Sequence, residues 1–414
     1  MFSSIEICLL ISTLAALYLT IFFYVAYASE RSFLRNYPKP KKFPSVSITI
    51  PVYNGANLIE QTLEAVRKLE YPRDFEIIVV DDGSTDETPQ IVSKIASKDP
   101  RIKLFRKENG GRGNARNYGL RHAKGEIVVT MDVDARPEKD CLMKAIGFFE
   151  DKDVAAVTIS CLVHEPKTFM QKLQAIEYAL IPLMRKIIES FNAIYAVPGV
   201  FGLFRRDVVL SLGGFDEKNL TEDIEIAWRL LAHGYKIKMC PDARVWTYVP
   251  ESFSKWWRQR IRWNIGGIQT TLKYVRLLFD RRFSSIGFFI LPTFIIAYFF
   301  SIFGLVLVGA MAIDKLLSLI PLFSATAYGA NIFDNLIIEI AVYPNVIILL
   351  SALSFILGVS WIWLSFHSLD VSMRMRKNVS TLLLFLTFYT ALFPLNYMYS
   401  TLKFLGNKYK VHGG

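Results

Sequence analysis

Cysteine is sparse and scattered in this chain. Four occur in 414 residues, Cys8, Cys141, Cys161 and Cys240, with no CxxC spacing and no dense framework, so a disulfide scaffold is excluded and free thiols in a reducing compartment are expected. Internal repeats and low-complexity tracts are also missing, which removes solenoids and disordered arrays from consideration. Two phosphate-binding signatures are absent as well. In Asn109-Gly110-Gly111-Arg112-Gly113-Asn114-Ala115-Arg116-Asn117, Arg116 stands where the last Gly of GxGxxG would be, and no Gly-Lys-Ser/Thr follows. The stretch is therefore neither a dinucleotide fingerprint nor a P-loop.

Apolar sequence is abundant. Hydrophobic residues make up 52% of the chain and aromatics 14%, gathered into long blocks. A helical span needs roughly 20 apolar residues, and residues 5–28, 286–313, 337–366 and 382–402 qualify. The first could be taken for a cleaved signal peptide ending at Ala26-Tyr27-Ala28. No basic residue precedes it, however, and its apolar run is too long for an h-region, so it reads as an anchor. Arg31, Arg35, Lys39, Lys41 and Lys42 follow it, which places the central block in the cytoplasm by the positive-inside rule. Arg374, Arg376 and Lys377 mark a second cytoplasmic loop, and the tail with Lys403, Lys408 and Lys410 falls outside, against the rule. The formal charge of +11, from 48 basic and 37 acidic residues, is explained by contact with anionic membrane lipids rather than by nucleic acid, because many of the cations flank apolar segments.

Between the first two spans, short β-rich runs alternate with helical patterns, which predicts an α/β architecture with a largely parallel sheet. Strands are expected at 46–52, 76–80, 102–105 and 126–131, and helices at 58–69, 88–97 and 113–123. Ligands in such folds sit beyond the carboxyl ends of the strands. Two amphipathic helices complete the block. The first carries Phe169, Leu173, Ile176, Leu180, Leu183 and Ile187 on one stripe; it is either an ordinary core helix or, being basic, aromatic and interrupted by Pro182, a helix of the membrane interface. The second spans 252–280.

Four clusters can carry chemistry. Asp81-Asp82-Gly83 after the second strand is either an ordinary turn or an acceptor for a nucleobase or ribose. Asp132-Val133-Asp134 follows a buried apolar strand, and residues two apart point the same way. Two like charges there repel unless a cation sits between them, and Mg²⁺ takes one or two carboxylates plus substrate phosphates. Arg112, in the Gly-rich start of a helix, suits a diphosphate or is a solvated surface residue. Thr221-Glu222-Asp223 reads in isolation as an N-cap with acids in the first turn. On the second amphipathic helix, Gln259, Arg262 and Trp263 share one face, opposite Phe253, Trp257, Ile261, Ile265, Ile268, Leu272 and Val275. That helix either lies on lipid while offering its polar face to a pocket, or is a basic surface helix with no site.

In this order the clusters resemble the family-two glycosyltransferases of GT-A fold, in particular the processive membrane synthases of cellulose, chitin, hyaluronan and poly-N-acetylglucosamine. The likeness covers residues from about 45 to 282. One span before and three after the block looks like the chitooligosaccharide synthases, while Gly202-Leu203-Phe204-Arg205-Arg206 and Arg262-Trp263-Asn264-Ile265-Gly266-Gly267 look closer to poly-N-acetylglucosamine synthases. The resemblance implies an α/β GT-A domain plus a transmembrane helical region. Its expected boundaries are a membrane helix at 1–30, a cytoplasmic catalytic domain at 31–250, an interface helix at 251–283 and three membrane helices at 284–414.

The resemblance also implies roles. Asp82 holds uridine, Asp132 lies near the donor diphosphate, and Asp134 with Asp132 binds Mg²⁺ or Mn²⁺. Arg112, Gln259 and Arg262 bind the donor. Asp223, beside Glu222, is the general base of an inverting transfer, and Arg262 steadies the departing diphosphate. Trp263, Phe201 and Gly202 meet the acceptor, a sugar or a lipid-linked group. Where cellulose synthases carry an aromatic-Cys-Gly-Ser strip, this chain reads Pro198-Gly199-Val200-Phe201-Gly202, which leaves the acceptor open. The rival readings are a single transfer of sugar to lipid and a catalytically dead scaffold. The scaffold is disfavoured because the carboxylates are all present. Accessory subunits are not legible.

Overall fold

The computed structural model describes residues 4–30, 34, 37–326, 346–368 and 379–409. A long apolar helix, α1 (Ser4–Glu30), leads into an eight-stranded sheet. Its first half is built from β1 (Val46–Val52), α2 (Ala56–Arg67), β2 (Phe75–Asp81), α3 (Thr88–Ala96), β3 (Ile102–Arg106), α4 (Arg112–His122) and β4 (Ile127–Thr130). These elements lie within a few residues of the sequence expectation. β1 and β2 are β-branched and buried on both faces, as strands covered by helices on two sides must be. On α2, Ile59, Leu63 and Val66 fall at i, i+4 and i+7 and seal one face of the sheet. Leu120, Ile226, Trp228 and Leu230 pack with Ile78 and Val80 in a second core.

The second half contains β5 (Ala135–Pro137), α5 (Cys141–Ile146), β6 (Val154–Val163), α6 (Phe169–Glu189), β7 (Gly202–Arg205), α7 (Arg206–Ser211), α8 (Glu222–Ala232) and β8 (Lys236–Thr247). The strand order is β3-β2-β1-β4-β7-β6-β8-β5. Six strands run the same way. Only β7, antiparallel to β4 and β6, and β5, antiparallel to β8, oppose them. The chain returns through 190–201 to the carboxyl end of the sheet before β7 begins, so Gly202 pairs with Thr130 at the end of β4. The order reverses at β1, with β2 on one side and β4 on the other, which opens a crevice at the carboxyl edge.

α6 departs from the interface reading. Most of its apolar stripe is covered by protein: Leu173, Leu183 and Ile187 are fully buried, and Met170, Leu173 and Ile176 pack against Trp256, Ile362, Phe366, Phe385 and Tyr389, while Phe169 at the start stays exposed. The helix is clamped between the sheet and the apolar helices, and an amphipathic pattern alone cannot tell a lipid surface from a protein one. Its N-terminus is set by a capping box between Thr168 and Gln171.

α9 (Phe253–Tyr274) begins at the Ser252 cap and gives way to a 3₁₀ turn at Val275–Leu277, short of the expected end. Beyond it lie α10 (Leu291–Thr326), α11 (Val346–Ser368), α12 (Val379–Leu384) and α13 (Thr390–Leu405), the last two joined by a π-helical turn, Phe385–Tyr389. Among the described residues four helical stretches are long and apolar enough to cross a membrane: Ile7–Ser29, Ser285–Asp314, Val346–Ser368 and Ser380–Leu405. The expected third span, 337–366, starts outside the described residues and is seen from Val346. The basic residues Arg31, Arg35, Arg374, Arg376, Lys377 and Lys410, on which part of the orientation argument rests, also lie outside them.

Candidate active site

β4 ends at Thr130, and Asp132 and Asp134 follow in the short link to β5. Beside them α4 starts at Arg112, immediately after Gly111, whose φ of 85° is a left-handed value that favours glycine. Arg112 and Arg116 are one turn apart and face Asp132: Arg116 Nη2 donates to Asp132 Oδ1 at 2.8 Å, and Arg112 Nη1 stands 3.7 Å from Oδ2. Through its other terminal nitrogen Arg116 reaches Glu222 Oε1 at 2.6 Å. Arg116 is 2% exposed and is the tie between the β4 loop and the start of α8. Sequence reading set this residue aside as a misplaced glycine. The available signal was its i, i+4 spacing from Arg112. It passes directly over Gly199, where a Cβ would lie 1.6 Å from Nη2, so Gly199 is required for clearance.

The carboxylates differ in their surroundings. Burial works to raise Asp132, but Arg112 and Arg116 outweigh it and hold the group below the ordinary range. For Asp134 the opposing help, from Arg112 and a Thr247 hydrogen bond, is outweighed. Burial, and then the charge of Asp132, push it up to about 6. Asp223 is also raised, by burial and by Glu222 beside it. Arg262 is lowered by burial and by Arg112, with Glu222, Asp223 and Asp132 acting in the opposite sense. Asp132, Asp134, Glu222, Asp223, Arg112, Arg116 and Arg262 therefore share one electrostatic neighbourhood. Its acids outnumber its guanidiniums.

Asp82 is placed differently from a free acceptor. Its Oδ1 takes the Lys107 ammonium at 2.5 Å and the Gly110 amide at 3.0 Å, and Oδ2 takes the Gly111 amide at 2.9 Å. It fixes the glycine loop next to Arg112. The same loop region is braced from below by Asn114 and Asn117, which donate to Glu217 at 2.9 and 2.8 Å.

Thr221 occupies the N-cap position of α8 but makes no capping hydrogen bond, and its hydroxyl turns to Asn219 Oδ1 at 3.2 Å. The Thr221 loop is bound instead to α9. Gly266 lets the helix approach so closely that a Cβ would meet Thr221 Oγ1 at 2.2 Å. Asn219 donates to Thr270 Oγ1 at 2.9 Å, and the Leu220 amide to Gln269 Oε1 at 3.0 Å. This contact brings Arg262 to Glu222 and Asp223.

One turn earlier on α9, Gln259 has a buried Oε1 with no partner among the described residues. Trp263 packs beside Cys161, Val163, Tyr178 and Val249. The Arg260 guanidinium lies 4.1 Å from the centre of the Trp263 ring and is anchored to Glu177 at 2.7 Å. Tyr389 also donates to Glu177, at 2.6 Å, and accepts from the Trp256 indole at 2.8 Å. Asn264 donates to Asn396 at 2.8 Å, and Asn396 to the Trp257 carbonyl at 3.2 Å. α9 is thus held by polar side chains of α13 and of the π turn before it.

Two residues expected at the acceptor do not face the cleft. Phe201 is 2% exposed and belongs to the core under β4. Gly202 is locked into the sheet opposite Thr130, with the Val197 side chain 2.9 Å from where a Cβ would stand. The turn into β7 buries the Phe201 ring in the core, a phase that sequence does not fix at the residue just before a strand.

The metal reading can be tested against the donor set. Among the described residues no group of three or more His, Cys, Asp or Glu side chains could hold a metal by itself. The pair Asp132 and Asp134, with Asp134 destabilised as an anion, fits a hard cation that takes its remaining ligands from substrate phosphates.

Comparison with known proteins agrees with this arrangement. Residues 47–213 match the family model Glycosyl transferase family 2. The probable glycosyltransferase YdaM of Bacillus subtilis is 34% identical over 297 residues, 69% of this chain and 70% of its own. The poly-beta-1,6-N-acetyl-D-glucosamine synthase of Staphylococcus aureus is 34% identical over 230 residues, which is 55% of this chain but only 56% of the synthase. The mannosyltransferase PcManGT from Pyrobaculum calidifontis, solved with GDP-Man and Mn²⁺, superposes with a TM-score of 0.61 over 98% of this chain and 99% of its own at 24% identity. The chain belongs to glycosyl transferase family 2. It is a membrane-associated enzyme of GT-A fold that transfers sugar from a nucleotide-sugar to an acceptor.

Proposed function

We propose that the chain is an inverting transferase that moves a sugar from a UDP-sugar onto a growing β-linked oligosaccharide or polysaccharide at the cytoplasmic face of the cell membrane. The observation that carries this reading is the convergence of Asp132, Asp134, Glu222, Asp223, Arg112, Arg116 and Arg262 at the carboxyl edge of the sheet. In this account 31–250 is the cytoplasmic catalytic domain, α9 lies at the interface, and the four apolar helices cross the bilayer.

Asp223 takes the proton of the acceptor hydroxyl as that oxygen attacks the anomeric carbon. Its raised pKa brings it closer to the operating pH than an ordinary carboxylate would be. Glu222 does not compete for that proton, because Arg116 holds its Oε1. Arg112 and Arg262 receive the diphosphate whose charge grows as the glycosidic bond breaks. Gln259 offers its amide to the donor, and Asp82 shapes the glycine loop that closes over the uridine. Arg260 covers one face of Trp263 and leaves the other for the acceptor ring. A divalent cation at Asp134 and Asp132, Mg²⁺ or Mn²⁺, would neutralise charge on the leaving diphosphate. PcManGT was solved with Mn²⁺ and a GDP-sugar, and the raised pKa of Asp134 supports the same kind of site here.

Asp223→Asn tests the reading. Transfer is expected to fall by about 10³-fold while calorimetry still detects UDP binding, and retention of most turnover would remove Asp223 as the base. Product sizing with labelled UDP-sugars separates a polymerising enzyme, which gives a ladder, from one that adds a single sugar to lipid.

A further inference from the structure

α6 carries a second cation inside the molecule that nothing in the donor site uses. Five arginines among the described residues have an Nε that is sealed from solvent and lacks a hydrogen-bond partner: Arg116, Arg185, Arg206, Arg229 and Arg260. Four of them hold ion pairs through their terminal nitrogens, to Asp132 and Glu222, to Asp207, to Glu225 and to Glu177 respectively. Arg185 forms no ion pair and no hydrogen bond among the described residues, although it is only 8% exposed. An unpaired buried charge costs several kcal/mol, and an apolar residue of that length would fill the space at less cost. Packing therefore supplies no reason for an arginine here.

Its surroundings supply one. The groups that act on Arg185 are Tyr195, Cys161, Asp223 and Tyr178, whereas Arg112 and Arg116 answer first to Asp132 and Glu222. Arg185 therefore lies within electrostatic reach of Asp223 without touching Asp132 or Glu222. On α6, Gln174, Tyr178 and Arg185 fall at i, i+4 and i+11, on one face of the helix. Tyr178 on that face packs with Val163 and Val249 beside Trp263, and Gln174 Oε1 is a further buried acceptor without a partner. Burial lowers the Arg185 pKa, yet a guanidinium stays charged in a protein.

We propose that Arg185 binds an anionic oxyacid group, phosphate or carboxylate, carried by the acceptor, so that the preferred acceptor is charged next to the hydroxyl presented to Asp223. The identity of the ligand as an acceptor rests on the transferase reading above. The anion completes the ion pair that the chain leaves open.

The test uses the full chain in lipid nanodiscs, labelled UDP-sugars and two matched pairs of acceptors that keep their sugar hydroxyls: N-acetylglucosaminyl diphosphoryl polyprenol with N-acetylglucosaminyl polyprenol, and N-acetylglucosamine 1-phosphate with N-acetylglucosamine. The wild-type chain is expected to favour one phosphorylated member over its neutral twin by roughly 10- to 100-fold in kcat/KM. Whichever pair shows this tells whether the charge sits on a lipid or on a sugar. Arg185→Met is expected to bring that ratio close to one, and Arg185→Lys to keep part of it. In saturating UDP, inorganic phosphate should raise the Tm of the wild type but not of Arg185→Met, whose own ligand-free Tm should equal or exceed the wild-type value. Equal use of charged and neutral acceptors by the wild type, a preference that survives in Arg185→Met, or a lower Tm in that variant with phosphate stabilisation intact would each overturn the proposal. Absence of sugar transfer to all four acceptors, with Asp223→Asn matching the wild type, would instead count against the transferase reading. The phosphate-binding measurement needs no turnover and still decides Arg185.

Discussion

The two ends of the sheet hold similar numbers of charges and treat them in opposite ways. At the amino end a shallow cavity of about 540 Å³ is lined by Asp74, Glu76, Asp99, Arg101, Lys103 and Lys124. Its charges are settled internally: Asp99 accepts from Arg67 and Arg101 at 2.9 and 2.8 Å, and Glu76 from Lys103 at 2.7 Å. Asp99 is accordingly held far below the carboxylate range by the Arg101 hydrogen bond, and Glu76 is lowered. At the carboxyl end the balance is left open. Asp134 and Asp223 are raised, and among the described residues Gln259 keeps a buried acceptor free and Arg185 has no counter-ion. Unresolved electrostatics, rather than a cavity, mark the carboxyl end as the one shaped for a ligand.

The sharpest way to break this comparison is to remove Arg116, which completes two of the ion pairs at the carboxyl end. Arg116→Met strands Glu222 as a buried anion and leaves Asp132 to Arg112 alone, and transfer should fall by 100-fold or more, with stability lowered by about 3–5 kcal/mol. Turnover and thermal melts check both. A variant with near-normal activity would show that the bridge between β4 and α8 is dispensable.

The next effect is on pH and metal. The Asp134 carboxyl titrates near 6 instead of 3.8, so cation-dependent activity should decline as pH falls through about 6, and EDTA should abolish it at any pH. The stability consequence has the opposite sign. Between 3.8 and about 6 the folded chain binds a proton that the unfolded chain has released, so this group's destabilising charge is relieved as pH falls through that window. Asp134→Asn should therefore raise the Tm of metal-free protein at pH 7.5. A lower Tm would show that the carboxylate is already compensated.

Gly266→Ala should act more gently. The added methyl must push α9 away from Thr221, lowering kcat by roughly 10-fold with little change in donor affinity. Least of all, Lys103→Met at the amino end should leave transfer within about two-fold and cost under 1 kcal/mol, as loss of a half-exposed pair usually does.

The elements of the parallel half were readable because β-branched runs and 3.6-residue periodicity are local signals, and β1 and α3 show this directly. The acidic clusters were readable because they sit at strand ends, where the fold itself concentrates ligands. Arg116 was not, since its partners Asp132 and Glu222 come from separate elements and meet it only after the sheet has closed. The orientation of α6 was hidden for a similar reason: its stripe is equally apolar whether lipid or protein covers it. Phe201 was misassigned because one residue of strand phase decides between core and cleft, and the role of Asp82 in holding the Gly110 and Gly111 amides depends on a loop conformation that composition does not specify.

The hydrogen bonds from Tyr389 and Asn396 to the α9 network carry a practical corollary. A fragment trimmed before residue 284 to make the catalytic block water-soluble would lose the ceiling over Trp256, Trp257 and Asn264, and with it the fixed pose of Gln259, Arg262 and Trp263. In this enzyme the bilayer portion is masonry for the chemistry as well as mooring.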